Sequence, residues 1–297
     1  MNNICIINNL HSFFSSLKKQ PDLDTITANC GTSGIFMSLT QQLRIITWNC
    51  RNGPFSEKIA LLDALKPDIA ILQEIPNPGK ENDEHCIWYP SRFEKKGVAV
   101  LSSPDLKMSC TPPSGDLPEV FIPVKISGKY SFNLLAVWTQ HEMKYIESFQ
   151  PILSAYRDFL YPTPSIITGD FNSNVKWDMQ HKKFNHSKLI STLDAEFNLV
   201  SAYHQHKKII PGQNEESTFF MYGHEDKPFH IDYCFVPKVW NIENVTIGSW
   251  TDWCQDGKSD HCPLIVDLQV KKEITESVTK IRKPGQDRFC AEIEIIR

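Results

Sequence analysis

Five times along this chain a short, β-prone apolar run ends in an acid, an amide or an imidazole. Thr47-Trp48-Asn49 closes the first run and Leu72-Gln73-Glu74 the second. Gly169-Asp170-Phe171-Asn172, His230-Ile231-Asp232-Tyr233 and Ser259-Asp260-His261 follow, the last driven straight into the strand-like Cys262-Pro263-Leu264. Four carboxylates (Glu74, Asp170, Asp232, Asp260), two amides (Asn49, Asn172) and His261 are thus set at strand ends. Such a set suits a hard-cation site that performs hydrolysis. It supplies oxygen ligands for Mg²⁺, a group to activate water and a donor for phosphoryl oxygens.

The runs between these motifs predict strands interspersed with few helices. Leu43–Trp48 alternates β-branched residues and predicts the first strand. Ser56 can cap a helix with Ile59, Leu62 and Leu65 on one side, ended by Pro67. Asp68–Leu72 is a short continuous apolar strand of the kind buried on both faces, and Ser165–Thr168 is another short buried strand. Gly97–Leu101, Val120–Ile126, Phe132–Trp138, Phe219–Tyr222, Ile231–Val236, Val245–Trp250 and Pro263–Val270 predict further strands. Helices are predicted over Ile146–Leu160 and from Asn185 or Ser187 onward, where Leu189, Leu193 and Phe197 recur at fourfold spacing. So many strands with so few helices imply two packed sheets covered by helices, not one doubly wound sheet.

Composition sets the outer limits. At 297 residues, with 41% hydrophobic and 22% charged residues, the chain can bury a substantial core as a soluble globular protein. Residues 43–270 are expected to form one domain, with 1–42 a weakly ordered extension and 271–297 a charged tail. In the extension only Leu10–Leu17 looks helical, and Met37 offers an alternative start of translation. Nine cysteines without a C-x-x-C pair exclude a complete disulfide framework in a monomer and give no structural zinc spacing. With neither a basic leader nor a run of about 18 apolar residues, a cytoplasmic monomer without a membrane span is expected. The formal net charge of −4 gives no global attraction to polyphosphate. Short basic clusters such as Glu94-Lys95-Lys96 read as solvated faces.

Each motif also has a plain structural reading. Asp170 and Asn172 lie two apart and share a face in extended chain, yet Gly-Asp-Phe-Asn is also an ordinary Asx-rich turn. Asn49 and Glu74 are solvated strand ends unless other oxygens converge on them. Asp232 sits inside a strand pattern, where an unpaired carboxylate would cost several kcal/mol, so it needs a partner. His261 is the natural one, and neighbouring Asp260 points to the opposite side, toward a metal or its water.

Taken in order, the five motifs resemble the endonuclease/exonuclease/phosphatase superfamily, across residues 43–270. The resemblance implies a four-layered α/β sandwich: two mixed β-sheets packed face to face and flanked by helices. It also implies a Mg²⁺-dependent phosphoesterase, with Mn²⁺ as a substitute. Carried over by motif, Glu74 is the principal metal ligand, assisted by Asn49 and Asp260. Asp170 orients or deprotonates water, Asn172 holds the nucleophile or phosphate, and His261, held by Asp232, donates to a non-bridging oxygen.

One position departs from the pattern. Where relatives carry His or Tyr, this chain has Trp138, which cannot act as a general acid; His141 is the nearby substitute. His230 stands where DNA-cleaving relatives often carry Arg, and with Trp138 and His141 it is a candidate substrate contact. Trp253 is expected as a pocket wall that contacts substrate, and Trp250 as core. Three classes stay open: a phosphatase or phosphodiesterase on a small phosphoester, a nuclease on DNA or RNA, and a silent binding module. Loss of site residues would mark the last, and all seven are present. The charge balance and Trp138 disfavour nucleic acid as the partner.

Overall fold

The computed structural model describes residues 25–31, 34–79, 82–91, 95–110, 120–140, 145–274, 280–281 and 290–291. It divides into two compact units, residues 43–268 and the chain outside that range. In the outer unit, Thr25–Gly31 (β1) pairs antiparallel with the early part of Gly34–Asn49 (β2), and Lys280–Ile281 pairs with Cys290–Ala291. The strand expected from Leu43 is the later part of β2, which starts at Gly34. Ser38 and Thr40 alternate with Met37 and Leu39, which is the period of a strand. The helix expected at 10–17 lies outside the described residues.

The strands of the larger unit continue as Ile69–Ile75 (β3), Cys86–Pro90 (β4), Gly97–Ser102 (β5), Leu106–Cys110 (β6) and Phe121–Gly128 (β7). Then come Phe132–Trp138 (β8), Ser165–Asp170 (β9), Leu199–Ser201 (β10), Phe219–Phe220 (β11) and Pro228–Phe229 (β12). Asp232–Pro237 (β13), Asn241–Ile247 (β14) and Leu264–Ile274 (β15) complete them. One sheet runs β14-β15-β2-β3-β5-β4 and the other β10-β13-β9-β8-β7-β6. Each is mixed, because β2 pairs parallel with β3 and β8 parallel with β9, whereas β3–β5 and β7–β8 are antiparallel. β3 packs against β8 and β9 of the other sheet.

The two sheets bury one another, and helices bury their outer faces. Alternate residues of β8 divide the work: Leu135 and Val137 join the outer cluster, while the intervening Leu134 and Ala136 are equally buried. That outer cluster holds Phe149 and Ile152 of Phe149–Ala155 (α2) and Leu193 and Phe197 of His186–Phe197 (α4). Across the molecule, Leu62 of Phe55–Asp63 (α1), with Ile59 and Leu65, covers Ile46, Trp48, Ala70 and Leu72. The result is helix, sheet, sheet, helix. Strands covered on both sides are buried at nearly every position, as β3, β8 and β9 are.

Several boundaries differ from the sequence expectation for local reasons. α1 starts at Phe55 with Pro54 at the cap, so Ser56 lies inside the first turn and caps nothing. The helix expected over 146–160 is broken into a 3₁₀ turn at Tyr145–Ser148, α2 and Arg157–Leu160 (α3). Pro151 lacks an N–H and is tolerated only because it falls in the first turn of α2. Asn185 is the cap of α4, accepting from the Lys188 N–H at 2.9 Å. β14 stops at Ile247, because Ser249 caps the short helix Trp250–Trp253, designated α6 after Ala202–Lys207 (α5).

Candidate active site

Three adjacent strand ends form the floor of the site. β13, β9 and β8 lie side by side, and their registers set Asp232 opposite Asp170 and Asp170 opposite Trp138. Gly169 makes this close row feasible. Its φ is +148°, and a Cβ there would stand 1.8 Å from the carbonyl oxygen of Val137 on β8. Beyond Asp170 the chain turns back through Asn172, whose φ is +45°. The Asn172 N–H donates to Asp170 Oδ1 at 2.8 Å and its amide to Asp170 Oδ2 and Thr139 O, both at 3.1 Å.

The other sheet closes over this row. β2 ends in Asn49, and β3 carries Glu74 at a register shift with φ +55°. A bulge re-aims the side chain it carries, which separates Glu74 from buried Gln73, itself bonded to Thr47 Oγ1 at 2.9 Å. Asn49 Nδ2 donates to Glu74 Oε1 at 3.2 Å and to Asp170 Oδ2 at 2.9 Å, joining the two sheets through one amide. Lys96, just before β5, donates to Glu74 Oε2, and its Nζ lies 5.5 Å from the Trp138 ring centroid.

Ser259-Asp260-His261 locks onto both sheets. Ser259 Oγ donates to Asn49 O at 2.6 Å and accepts from the His261 N–H at 3.0 Å, and Trp48 Nε1 donates to His261 O at 2.9 Å. His261 Nδ1 donates to Asp232 Oδ2 at 2.9 Å. Thr218 Oγ1 in turn accepts the N–H groups of Ile231 and Asp232, at 3.0 and 3.1 Å. Asp260 pairs with Arg51 Nε at 3.4 Å, and the Arg51 N–H donates to Asn49 Oδ1 at 3.0 Å.

Burial and charge set the protonation states. Asp170 is fully buried; desolvation first, then the Asp232 carboxylate, push its pKa up to about 7 against the pull of His261, Asn49 and Asn172. Burial alone would lower the His261 imidazole, but the Asp232 charge and hydrogen bond outweigh it and raise the pKa to about 10. His261 is therefore an imidazolium at neutral pH, with both ring nitrogens donors. Asp170, Asp232 and His261 bring their polar atoms within 4.8 Å of one another. A protonated imidazole offers a metal no lone pair, so the oxygens fit a hard cation and His261 does not. One of those oxygens, Asp232 Oδ1, is buried without a protein partner. The donor set of Asn49, Glu74 and Asp260 is likewise all oxygen.

The structure separates the other candidates. Trp138 is 5% exposed and stands in the floor row, under Lys96. His141 lies outside the described residues. His230 faces inward, which corrects its reading as a substrate contact: it is 3% exposed, bonds Glu216 O through Nδ1 at 2.7 Å and packs 4.5 Å from the Tyr203 ring. Burial pushes its pKa down to about 4, so it is neutral. Trp253 is half-buried and packs edge-on to Trp48 at 4.9 Å, which braces the core. Trp250 is also half-buried, against Cys254 and Cys262.

Several contributors carried no sequence signal of their own. Lys96 looked like one lysine in a solvated run. Thr218 holds the backbone beneath Asp232 from across 14 residues. Glu215 accepts from Gly212 N, His204 Nε2 and Asn174 Nδ2 at 2.7, 2.9 and 2.9 Å, which fixes the turn two residues beyond Asn172. Only three-dimensional pairing reveals these roles.

Residues 46–261 match the Endonuclease/Exonuclease/phosphatase family, and the chain belongs to that family. It is therefore an enzyme that hydrolyses phosphoester bonds. Among solved structures it is similar to the 3′ phosphatase NExo from Neisseria bound to product DNA hairpin: 19% identity, TM-score 0.57, covering 75% of this chain and 98% of that one. It is also similar to the endonuclease domain of TRAS1, a telomere-specific non-LTR retrotransposon, at 17% identity and TM-score 0.55, covering 76% and 98%. Truncated Caenorhabditis elegans TDP2 aligns at 13% identity and TM-score 0.54, covering 77% and 98%. At these identities the likeness establishes the α/β sandwich and nothing finer. No curated protein sequence matches the chain.

Proposed function

We propose that this chain is a Mg²⁺-dependent phosphoesterase that hydrolyses a compact phosphomonoester or phosphodiester by attack of water, with Mn²⁺ able to replace Mg²⁺. The observation that carries the reading is the Asn49 amide, which joins Asp170 to Glu74 beside the Asp232–His261 pair. Asn49, Glu74 and Asp260 would hold the cation. When bound, it polarises a phosphoryl oxygen and offsets the charge of the surrounding acids.

The chain's own residues do the rest. Asp170, its pKa pushed up by burial to about 7, takes a proton from the attacking water. The Asn49 and Asn172 amides fix its carboxylate. His261, kept cationic and oriented by Asp232, donates a hydrogen bond to a non-bridging oxygen as charge builds there. The P–O bond to the leaving group breaks, and solvent protonates the departing oxygen. Trp138, with no lone pair or acidic proton at hand, contributes a wall to the site.

A compact substrate is favoured by the formal charge of −4, which gives no long-range pull on a polyanion. The DNA hairpin in the NExo complex and the telomere specificity of TRAS1 favour the second reading, a nuclease on DNA or RNA. We place the enzyme in the cytoplasm as a monomer with residues 43–270 as its working domain. Cys50, Cys86, Cys110, Cys234, Cys254 and Cys262 are free, as in a reducing compartment.

The test is a panel of bis-aryl phosphodiesters, aryl phosphomonoesters, nucleotides, oligonucleotides and plasmid, assayed with the purified full chain. Hydrolysis should vanish on exhaustive chelation and return with Mg²⁺ or Mn²⁺. Activity that survives chelation overturns the metal requirement. Duplex nicking at lower concentrations than any small ester, lost in Asp170→Asn, replaces the compact substrate with nucleic acid.

A further inference from the structure

The floor of the site is a row of three strand ends, and a cation stands at each end of it. On one flank Asp232 holds His261; on the other, Trp138 lies under the ammonium of Lys96. Asp170 is the middle member, paired by register to both. With neighbouring strands about 4.8 Å apart, the two flanks are separated by about 10 Å, enough for one phosphoryl group between them.

Lys96 is held in this place by the backbone. It precedes Gly97, which pairs with Ile75 at the bulge of β3 and with Pro90 of β4. Its carbonyl accepts the Ser91 N–H at 2.9 Å. The side chain thus leaves the sheet beside Glu74, and 33% of it is exposed to solvent. The indole beneath it favours a cation at its face and supplies no proton of its own.

We propose that Lys96 is a catalytic residue: its ammonium contacts a non-bridging oxygen of the substrate's phosphoryl group from the flank opposite His261. The inference rests on the phosphoesterase reading. Lys96 keeps its proton throughout and acts by charge and hydrogen bonding, so no atom is transferred to or from it. The pairing with Glu74 is the arrangement of the free enzyme. As substrate enters, the ammonium exchanges a carboxylate oxygen for a phosphoryl oxygen, both acceptors of the same kind.

The test uses the full chain and three variants, Lys96→Met, Lys96→Gln and Lys96→Arg, each checked for folding by thermal melting. Rates are measured on a bis-aryl phosphodiester, orthovanadate serves as the phosphoryl mimic, and Mn²⁺ binding is measured directly by calorimetry. Removal of the charge should lower kcat/KM by about 10²–10³-fold, the range for one preorganised donor, and weaken vanadate inhibition alongside. Lys96→Arg should keep most of both, and Mn²⁺ affinity should hold or rise, because Glu74 loses a competing cation. Unchanged kcat/KM and vanadate inhibition in Lys96→Met and Lys96→Gln overturn the proposal. So does a loss of Mn²⁺ affinity that matches the loss of rate, which would make Lys96 a strut for Glu74. A wild-type chain that neither hydrolyses the ester nor binds Mn²⁺ instead defeats the underlying phosphoesterase reading.

Discussion

Gly169→Ala is the most demanding probe of how the site is built. A Cβ at this position meets Val137 O at 1.8 Å, Val137 C at 2.7 Å and Val137 N at 2.9 Å, all backbone atoms of the partner strand. No rotamer change relieves a clash with backbone, so β8 and β9 must separate. The φ of +148° adds strain of about 1–3 kcal/mol for any residue with a Cβ. Overpacking of a tight interior adds about 1–3 kcal/mol more. The sum, about 2–6 kcal/mol, is a large share of the 5–15 kcal/mol typical of a domain. Gly257→Ala is the control: its φ is +71°, but nothing lies within 4 Å of the new Cβ, so only strain of about 1 kcal/mol is expected. Urea unfolding of both variants, read by tryptophan fluorescence, gives the two losses, and hydrolysis of an aryl phosphodiester reads the displacement of Asp170. Equal destabilisation of the two variants, or full activity in Gly169→Ala, would refute the claim that backbone contact at Gly169 sets the row.

Asp232→Asn and His261→Ala should each lower kcat/KM by about 10²–10⁴-fold and the double variant by little more, because one residue acts through the other; losses that multiply would show independent roles. Thr218→Val leaves the buried Ile231 and Asp232 N–H groups without their acceptor, at about 1–3 kcal/mol each, and calorimetric melting should show that loss together with a lower rate. Glu215 feels burial first, which raises its pKa, but His204, Gly212 and Asn174 outweigh it and hold it near 2 against an ordinary 4.5. Its contribution, on the order of 3 kcal/mol, is present above pH 4.5 and fades as pH falls toward 2. Denaturation of wild type and Glu215→Gln across that window should show a gap that closes with acid; a constant gap would refute it.

The parts of the molecule that were legible in sequence are those where local pattern and global position coincide. Asp170 and Asn172 stand out because a polar pair closes a short strand buried on both faces. Asp232 and His261 predict one another because a carboxylate inside a strand demands a partner, and the two meet at 2.9 Å. Two packed sheets with outer helices follow from the same apolar runs, whose burial the strands β3, β8 and β9 display. The misreadings share a different cause. His230 stands two residues before Asp232, outside β13, where strand alternation does not apply, and ends among Tyr203, His204 and Tyr233. Lys96 sits in a short charged run, and only the register of β5 against β3 turns it inward. The strands Cys86–Pro90 and Leu106–Cys110 are only five residues each, too short for an apolar run or an alternation to stand out.

The Asn49 amide has a consequence for how activity is gained during folding. Its two acceptors belong to different sheets, Glu74 on β3 and Asp170 on β9. Neither sheet alone contains the site, so an intermediate with one sheet formed and the other loose has no catalytic power at all. Hydrolysis thus gauges the docking of the two halves of the sandwich, and in a refolding experiment it should rise with the last cooperative step and not with the first appearance of β-structure.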